Sequence, residues 1–333
     1  MRPMHADVPV RLVSADDIRA AAVRIRGIVR RTPLVHGPTT VPGAALRLKC
    51  ENLQVAGALK IRGAANMLAQ LPREDLAHGV ITYSSGNHGQ ALACAARLIG
   101  VPAVVVMPTT APPVKVNGAR AFGAEIVFAG TTSADRKAEA ERLQLERHLA
   151  MVPPFDHPWI VAGQGTVGLE VIEDCTDLHE IYVPVGGGGL LAGVAVAVKA
   201  LRPSARVIGV EPAGAAKMSR SIAAGMPVTL ERTASIADGL LPVRPGDLTF
   251  MHARELVDEV VTVDDESLAD AVRYLAADAH LVVEPSGAAS VAAIRARYGA
   301  LNAIERPVVA VLSGGNIAPE QLADLLTQKT GNQ

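Results

Sequence analysis

Two kinds of apolar pattern alternate along the chain. Short runs rich in valine and isoleucine are each followed by a longer stretch whose apolar residues fall three and four apart. Near the start, Ser14 and Asp17 form a capping-box pattern. Ile18, Ala21, Ala22, Ile25 and Val29 then keep helical spacing until Arg30-Arg31-Thr32-Pro33. A strand is predicted over 46–50, and Ile61, Ala64, Ala65 and Leu68 mark a helix face directly after Lys60. From residue 79 on, strands over 80–83, 103–107 and 124–128 alternate with helices over 88–99, 113–122 and 134–149. Beyond the proline-rich break at 152–158 come a helix over 163–172, a strand ending at Val185, a helix after Gly189 and a strand over 206–210. The last third adds helices over 266–277 and 286–297 and strands over 281–283 and 308–312. Short apolar strands alternating with helices predict an α/β fold whose mostly parallel sheet is covered on both faces. The turn near Gly79 and the break at 152–158 mark off a small unit, 80–152, from a large one, 1–79 with 153–333.

The stretch from Ile181 to Leu201, IYVPVGGGGLLAGVAVAVKAL, concentrates the candidate chemistry. A strand runs into Gly186, Gly187, Gly188 and Gly189, and a helix follows. That arrangement aims backbone N–H groups and the positive helix end at an anion, usually phosphate. Glycine permits close backbone approach and positive φ. A tight strand-to-helix turn is the plain structural alternative, but four glycines exceed what a turn needs. No Lys-Ser/Thr pair follows, so the pattern argues against NTP hydrolysis. Two further strand ends carry small polar loops: Ser84-Ser85-Gly86-Asn87-His88 and Ser313-Gly314-Gly315-Asn316. Ligands in open α/β sheets sit beyond the carboxyl ends of strands, which places a site between the two units.

One motif competes. Gly163-Gln164-Gly165-Thr166-Val167-Gly168 matches the dinucleotide fingerprint, with Glu180 at a tolerable distance for a ribose, and would make the protein an NAD-dependent oxidoreductase. The fingerprint must directly follow a strand, however, and the preceding residues form at best a short one. Close helix packing is the structural alternative.

Composition narrows the class. A net charge of −1 with 3% aromatic residues argues against nucleic acid as a partner. Cys50, Cys94 and Cys175 lack metal-type spacing and suit a reducing cytoplasm. Apolar runs fall short of the ~18 residues of a membrane span, and the N-terminus lacks the apolar core of a signal peptide. A cytoplasmic protein without membrane partners is expected.

Lys60 stands at a predicted helix start between apolar neighbours, where desolvation lowers an amine's pKa and keeps it nucleophilic; a snorkelling surface lysine is the alternative. Its setting, Glu51-Asn52-Leu53-Gln54-Val55-Ala56-Gly57-Ala58-Leu59-Lys60-Ile61-Arg62-Gly63-Ala64, resembles the lysine motif of fold-type II pyridoxal-phosphate enzymes, in the threonine/serine dehydratase–serine racemase branch. The resemblance continues through Ser84-Ser85-Gly86-Asn87-His88-Gly89-Gln90, the four glycines, Ile236-Ala237-Asp238-Gly239, Glu284-Pro285 and Ser313-Gly314-Gly315-Asn316, in order, over nearly the whole chain.

The resemblance implies two open, mostly parallel twisted sheets flanked by helices, like the β subunit of tryptophan synthase, with pyridoxal 5'-phosphate between a large and a small domain. It implies that Lys60 forms the Schiff base, that Gly186, Gly187, Gly188 and Gly189 bind the phosphate, and that Asn87 meets the phenolic oxygen. Ser313 matches the partner of the pyridine nitrogen, and this neutral hydroxyl favours elimination or racemisation over transamination. Gly239 and Glu284 border the cofactor, with Asp238 either shaping the pocket or solvated. Ser84, Ser85, Asn87 and His88 lie in the loop that grips the substrate carboxylate, largely by main-chain donors, and the His88 ring is alternatively structural.

The implied reaction is α,β-elimination from L-threonine or L-serine to a 2-oxo acid and ammonia, with the freed Lys60 amine removing the Cα proton. Ser85 complicates this, because serine racemases keep serine there where many dehydratases have alanine; its hydroxyl would return a proton to the opposite face of Cα. Serine racemase is therefore an alternative. So is a dehydratase of a related β-hydroxy amino acid such as 3-hydroxyaspartate or phenylserine, since Ala56-Gly57-Ala58-Leu59 departs from the usual Thr-Gly-Ser-Phe. A non-catalytic binding protein would not need Lys60, Asn87 and Ser313 together. Metal-activated racemases of this type bind a divalent cation through a Glu and an Asp six residues later. Here Glu211 remains but Lys217 replaces the Asp, so no metal is expected and an ion pair of Lys217 with Glu211 is. The chain ends soon after Asn316, so no regulatory domain of the biosynthetic threonine dehydratases is expected. The family is commonly dimeric, which implies a homodimer.

Overall fold

The computed structural model of the chain describes residues 11–38, 45–84, 86–299 and 304–327. Ten strands form two sheets: β1 (Leu34–His36), β2 (Leu46–Lys49), β3 (Val80–Tyr83), β4 (Ala103–Met107), β5 (Glu125–Phe128), β6 (Ala150–Met151), β7 (Glu180–Pro184), β8 (Arg206–Pro212), β9 (Glu259–Val263) and β10 (Val308–Val311). One sheet has six strands in the order β1-β2-β10-β7-β8-β9; the other has four, in the order β5-β4-β3-β6. Only β1 pairs antiparallel, against β2.

Period-two alternation sorts each buried strand between two apolar layers. In β4, Ala103, Val105 and Met107 face Ala91, Leu92 and Ala95 of the helix Asn87–Ile99. Val104 and Val106 face Ala140 and Leu143 of the helix Ser133–Arg147. In β7, Ile181 and Val183 pack with Leu191, Val194 and Val198 of the helix Gly189–Leu201, while Tyr182 turns to the layer of Ala288, Val291 and Ala292. The layer on one face of the four-stranded sheet also takes in Ile61, Ala64, Met67 and Leu68 of the helix Ile61–Leu68, and Ile160. The residues just after Lys60 are thereby anchored against that sheet.

Several elements differ from the sequence pattern. The first helix has its capping box, Ser14 Oγ accepting from Asp17 N, but runs only over Ala15–Arg24. Gly27, at φ 82°, turns the chain before Val29. Residues 281–283 look like a strand yet pair with none. Their backbone instead meets a helix end and a side chain, with Leu281 N donating to Leu275 O at 2.8 Å and Asn52 Nδ2 donating to Val282 O at 3.1 Å. The strand β9 and the helices Lys217–Ala224 and Asp247–Leu256 lacked a clear periodic signal. The helix expected over 163–172 starts earlier, at Pro158, with His157 Nδ1 accepting from Trp159 N.

That earlier start removes the dinucleotide reading: Gly163, Gly165 and Gly168 lie inside the helix Pro158–Asp174 rather than at a strand-to-helix turn. Their role is close packing. A Cβ on Gly165 would lie 2.9 Å from Gly193 O, and one on Gly193 would lie 2.4 Å from Val161 O, so the two helices touch backbone to backbone. Among the described residues, no helix is long and apolar enough to cross a membrane.

Candidate active site

Lys60 is held by a loop stitched to the chain after β10. Leu59 N donates to Ser313 O at 3.1 Å, Gly315 N to Gly57 O at 2.9 Å, and Asn316 Nδ2 to Ala56 O at 2.9 Å. Gly57 has φ 72°, and a Cβ there would lie 2.1 Å from Asn316 Oδ1, so only glycine fits. Lys60 caps the N-terminus of the helix Ile61–Leu68, and its amine donates to Pro154 O at 3.2 Å. The residue keeps some accessible surface, but its amine is packed in by protein. Burial lowers its pKa to about 8, well below an ordinary lysine.

Two residues on, the Arg62 guanidinium is fully buried between Glu51 and Glu170. It donates to both Glu51 oxygens at 2.8 Å and to the Glu170 oxygens at 2.7 and 2.9 Å. Lys49 reaches Glu170 Oε2 at 2.5 Å, and Thr32 donates to Glu51 Oε1. This network fixes the turn that carries Lys60 to the helix Pro158–Asp174.

The glycine run follows β7. Gly188 has φ 99° and caps the helix Gly189–Leu201 without any side-chain hydrogen bond, leaving the first-turn N–H groups without intrahelical partners. A Cβ on Gly187 would lie 2.3 Å from the Phe155 ring, and one on Gly189 would lie 3.1 Å from Phe155 O. One on Gly186 would lie 3.0 Å from Gly239 O. Thr249 Oγ1 and Gly246 N hold Gly187 O at 2.7 and 3.1 Å, so the carbonyl points away from the cradle's donors. Pro154 and Phe155 bridge the cradle to Lys60.

Asn87 and His88 open the helix Asn87–Ile99 at the end of β3. Asn87 Nδ2 donates to Glu284 Oε1, and Asn87 Oδ1 accepts from Asn316 Nδ2 at 2.9 Å. Glu284 is buried, and its Oε2 has no hydrogen-bond partner. Burial raises its pKa to about 7, Lys115 opposing and Asp238 assisting the shift. The His88 ring points away from the cleft: Nε2 lies 3.1 Å from Val152 O, and burial with the nearby Lys60 charge lowers its pKa to about 3. The ring is therefore neutral and donates from Nε2 to Val152 O. Ser84 Oγ accepts from Gly86 N at 3.3 Å. Ser85 lies outside the described residues. Among the described residues Ser313 Oγ makes only a 3.5 Å hydrogen bond, to Ser286 O, and Gly239 N donates to Ser286 Oγ at 2.9 Å.

Glu211 and Lys217 form a buried ion pair at 2.9 Å. The Lys217 amine also donates to Val185 O at 2.7 Å, Leu240 O at 3.1 Å and Ala215 O at 3.2 Å. Burial lowers the Lys217 pKa against the pull of Glu211. Four oxygens around one ammonium tie the strand before the glycines to the turn Asp238–Leu240. Among the described residues, no group of three or more His, Cys, Asp or Glu is arranged to hold a metal.

Residues that sequence reasoning passed over also converge here. Phe155 underlies the cradle, Asn316 joins Asn87 to the Lys60 loop, and Lys115 pairs with Asp238. Asn316 belonged to a quoted motif; Phe155 and Lys115 lie in stretches with no local chemical signal.

A desolvated amine, a helix start with free N–H groups where side chains would clash, and weakly engaged groups at Glu284 and Ser313 fit a phosphate-bearing aldehyde cofactor. The comparisons agree. A model of the pyridoxal-phosphate dependent enzymes matches residues 25–314, and the chain belongs to that family. Its cofactor is pyridoxal 5'-phosphate. The chain is 45% identical over 302 residues to an L-threonine ammonia-lyase of Geobacter sulfurreducens, covering 90% of this chain and 75% of the relative. It is 38% identical over 319 residues to an L-threo-3-hydroxyaspartate ammonia-lyase of a Pseudomonas species, covering 95% and 99%. The solved structure of maize serine racemase superposes with a TM-score of 0.88 at 39% identity, covering 94% of this chain and 97% of that one.

Proposed function

We propose that the protein is an ammonia-lyase converting L-threonine and L-serine to a 2-oxo acid and ammonia by α,β-elimination. The observation that carries this reading is Lys60, whose desolvated amine is tied through Pro154 and Phe155 to the glycine cradle and whose loop is tied through Asn316 to Asn87. Lys60 would hold the cofactor aldehyde covalently, Gly186, Gly187, Gly188 and Gly189 its phosphate, and Asn87, Gly239, Glu284 and Ser313 its ring. When bound, the cofactor supplies the electron sink for negative charge at the substrate Cα.

Main-chain N–H groups of Asn87 and His88, with Ser84, orient the substrate carboxylate. Once released, the Lys60 amine is neutral above about pH 8 and takes the Cα proton. The β-hydroxyl departs as water, and hydrolysis of the unsaturated product gives the 2-oxo acid and ammonia. Ser313, a neutral hydroxyl, leaves the ring nitrogen unprotonated, which supports elimination. The same reading places residues 80–152 as a smaller domain over a larger one of 1–79 and 153–333, in a cytoplasmic homodimer.

The likeness to maize serine racemase supports a second reading, racemisation with Ser85 returning a proton to the other face. Incubation with L-serine and L-threonine, measuring 2-oxo acid and D-amino acid together, separates them. Oxo acid without D-amino acid is expected. Substantial D-serine would favour the racemase, and neither product would point to 3-hydroxyaspartate or phenylserine.

We further propose that activity needs no divalent cation, because the Lys217 ammonium already satisfies Glu211 and three carbonyls. A chelator is expected to leave the rate unchanged. Loss of activity with chelator and its return with Mg²⁺ would refute this.

A further inference from the structure

Lys115 is nearly buried, on the helix Pro113–Ala121 beside the four-stranded sheet. Its stem lies along Gly86, the residue preceding Asn87. A Cβ built on Gly86 would sit 3.3 Å from Nζ and 3.5 Å from Cδ, so the lysine fills the space a side chain would take there. The ammonium pairs with Asp238 on the turn Asp238–Leu240, whose Leu240 packs under the six-stranded sheet.

The two charges are unequally exposed. The Lys115 side chain is 5% accessible and that of Asp238 44%, so water screens the carboxylate far more than the ammonium. The field left on the protein side is positive. At Glu284 the two charges act in opposite senses, Lys115 lowering the carboxyl's pKa and Asp238 raising it.

We propose that Lys115 supplies the positive charge that balances the substrate α-carboxylate, acting from beneath Gly86 through the field at the N–H groups of Asn87 and His88. This rests on the reading that those groups receive the carboxylate. Main-chain donors carry only partial charges, and a full counter-charge nearby strengthens the binding of an anion taken out of water. Lys115 is a positioning residue in this scheme: it touches no substrate atom, and Asp238 keeps it in place.

The test uses the cofactor-loaded protein and two non-reacting amines, glycine and glycinamide, which differ in the carboxylate charge. Binding is followed by the cofactor's absorbance. Wild-type protein is expected to prefer glycine. Lys115→Met and Lys115→Gln are expected to weaken glycine by about tenfold, the effect of one partly buried charge. Glycinamide should stay within about twofold, and Lys115→Arg should restore most of the preference. For L-threonine, KM should rise more than kcat falls. Equal weakening of both amines, or none, would overturn the proposal and leave Lys115 a structural residue. A wild-type protein indifferent to the charge would instead overturn the carboxylate reading on which it rests.

Discussion

Replacing Lys60 with alanine is expected to abolish turnover, lowering kcat by about 10³-fold or more while the protein still folds. The side chain has two duties in the proposed reaction, and nothing nearby can assume either. Among the described residues its amine makes one hydrogen bond, to Pro154 O, so its loss leaves a single carbonyl unpaired there and little structural damage. The other nitrogen base in the vicinity, His88, is turned toward Val152 O with its pKa lowered to about 3. Kinetics with L-threonine, with circular dichroism to verify folding, would check this. A variant retaining a tenth of the activity would place the base elsewhere.

The largest stability effect is expected at Arg62. Arg62→Met removes the guanidinium from between two carboxylates, one of them inaccessible to solvent. Breaking a buried pair by deleting one partner costs about 3–5 kcal/mol, because the remaining charge keeps its desolvation penalty. Urea unfolding measures it, and a loss below about 1 kcal/mol would show that the network relaxes or takes in water. The pH dependence has a defined sign. Burial pushes the Glu51 carboxyl up, but Arg62, Lys49 and Thr32 reverse this and hold its folded pKa below the usual value. The contribution is therefore complete above the ordinary glutamate range of ~4.3 and fades as pH falls through the lowered folded value.

What could be read from the sequence was chemistry that is local along the chain. Four consecutive glycines after a strand carry their meaning within a few residues, and Lys60 stands at a helix start flanked by apolar residues. Arg62 reaches Glu170, 108 positions on, and Lys115 reaches Asp238, 123 on, while Phe155 meets the glycine run from outside its motif, and no local pattern announces such partners. Arg62 is the clearest case: it sat inside the lysine motif, yet its role depends on Glu170 from another helix. Elements failed for a related reason. The segment 281–283 has strand composition, but its backbone is tied to a helix and to the loop after β10, with Leu281 N donating to Leu275 O and Glu284 N to Gly314 O, and not to a strand. The glycines at 163, 165 and 168 satisfied a motif whose meaning depends on what precedes it, and a helix begun at Pro158 changed that meaning.

The place of β10 also has a consequence for how the molecule is made. Among the described residues this strand is the last of the ten, but it lies in the middle of the six-stranded sheet, between β2 and β7. During synthesis β2 and β7 have a vacant side until it arrives, and Ser313 and Asn316, which brace the Lys60 loop, follow directly behind it. The smaller sheet needs only strands from residues 80 to 151 and can form long before. The bracing of the Lys60 loop accordingly depends on β10 being in place, and a chain lacking that strand exposes two unpaired apolar strand edges at the heart of the fold.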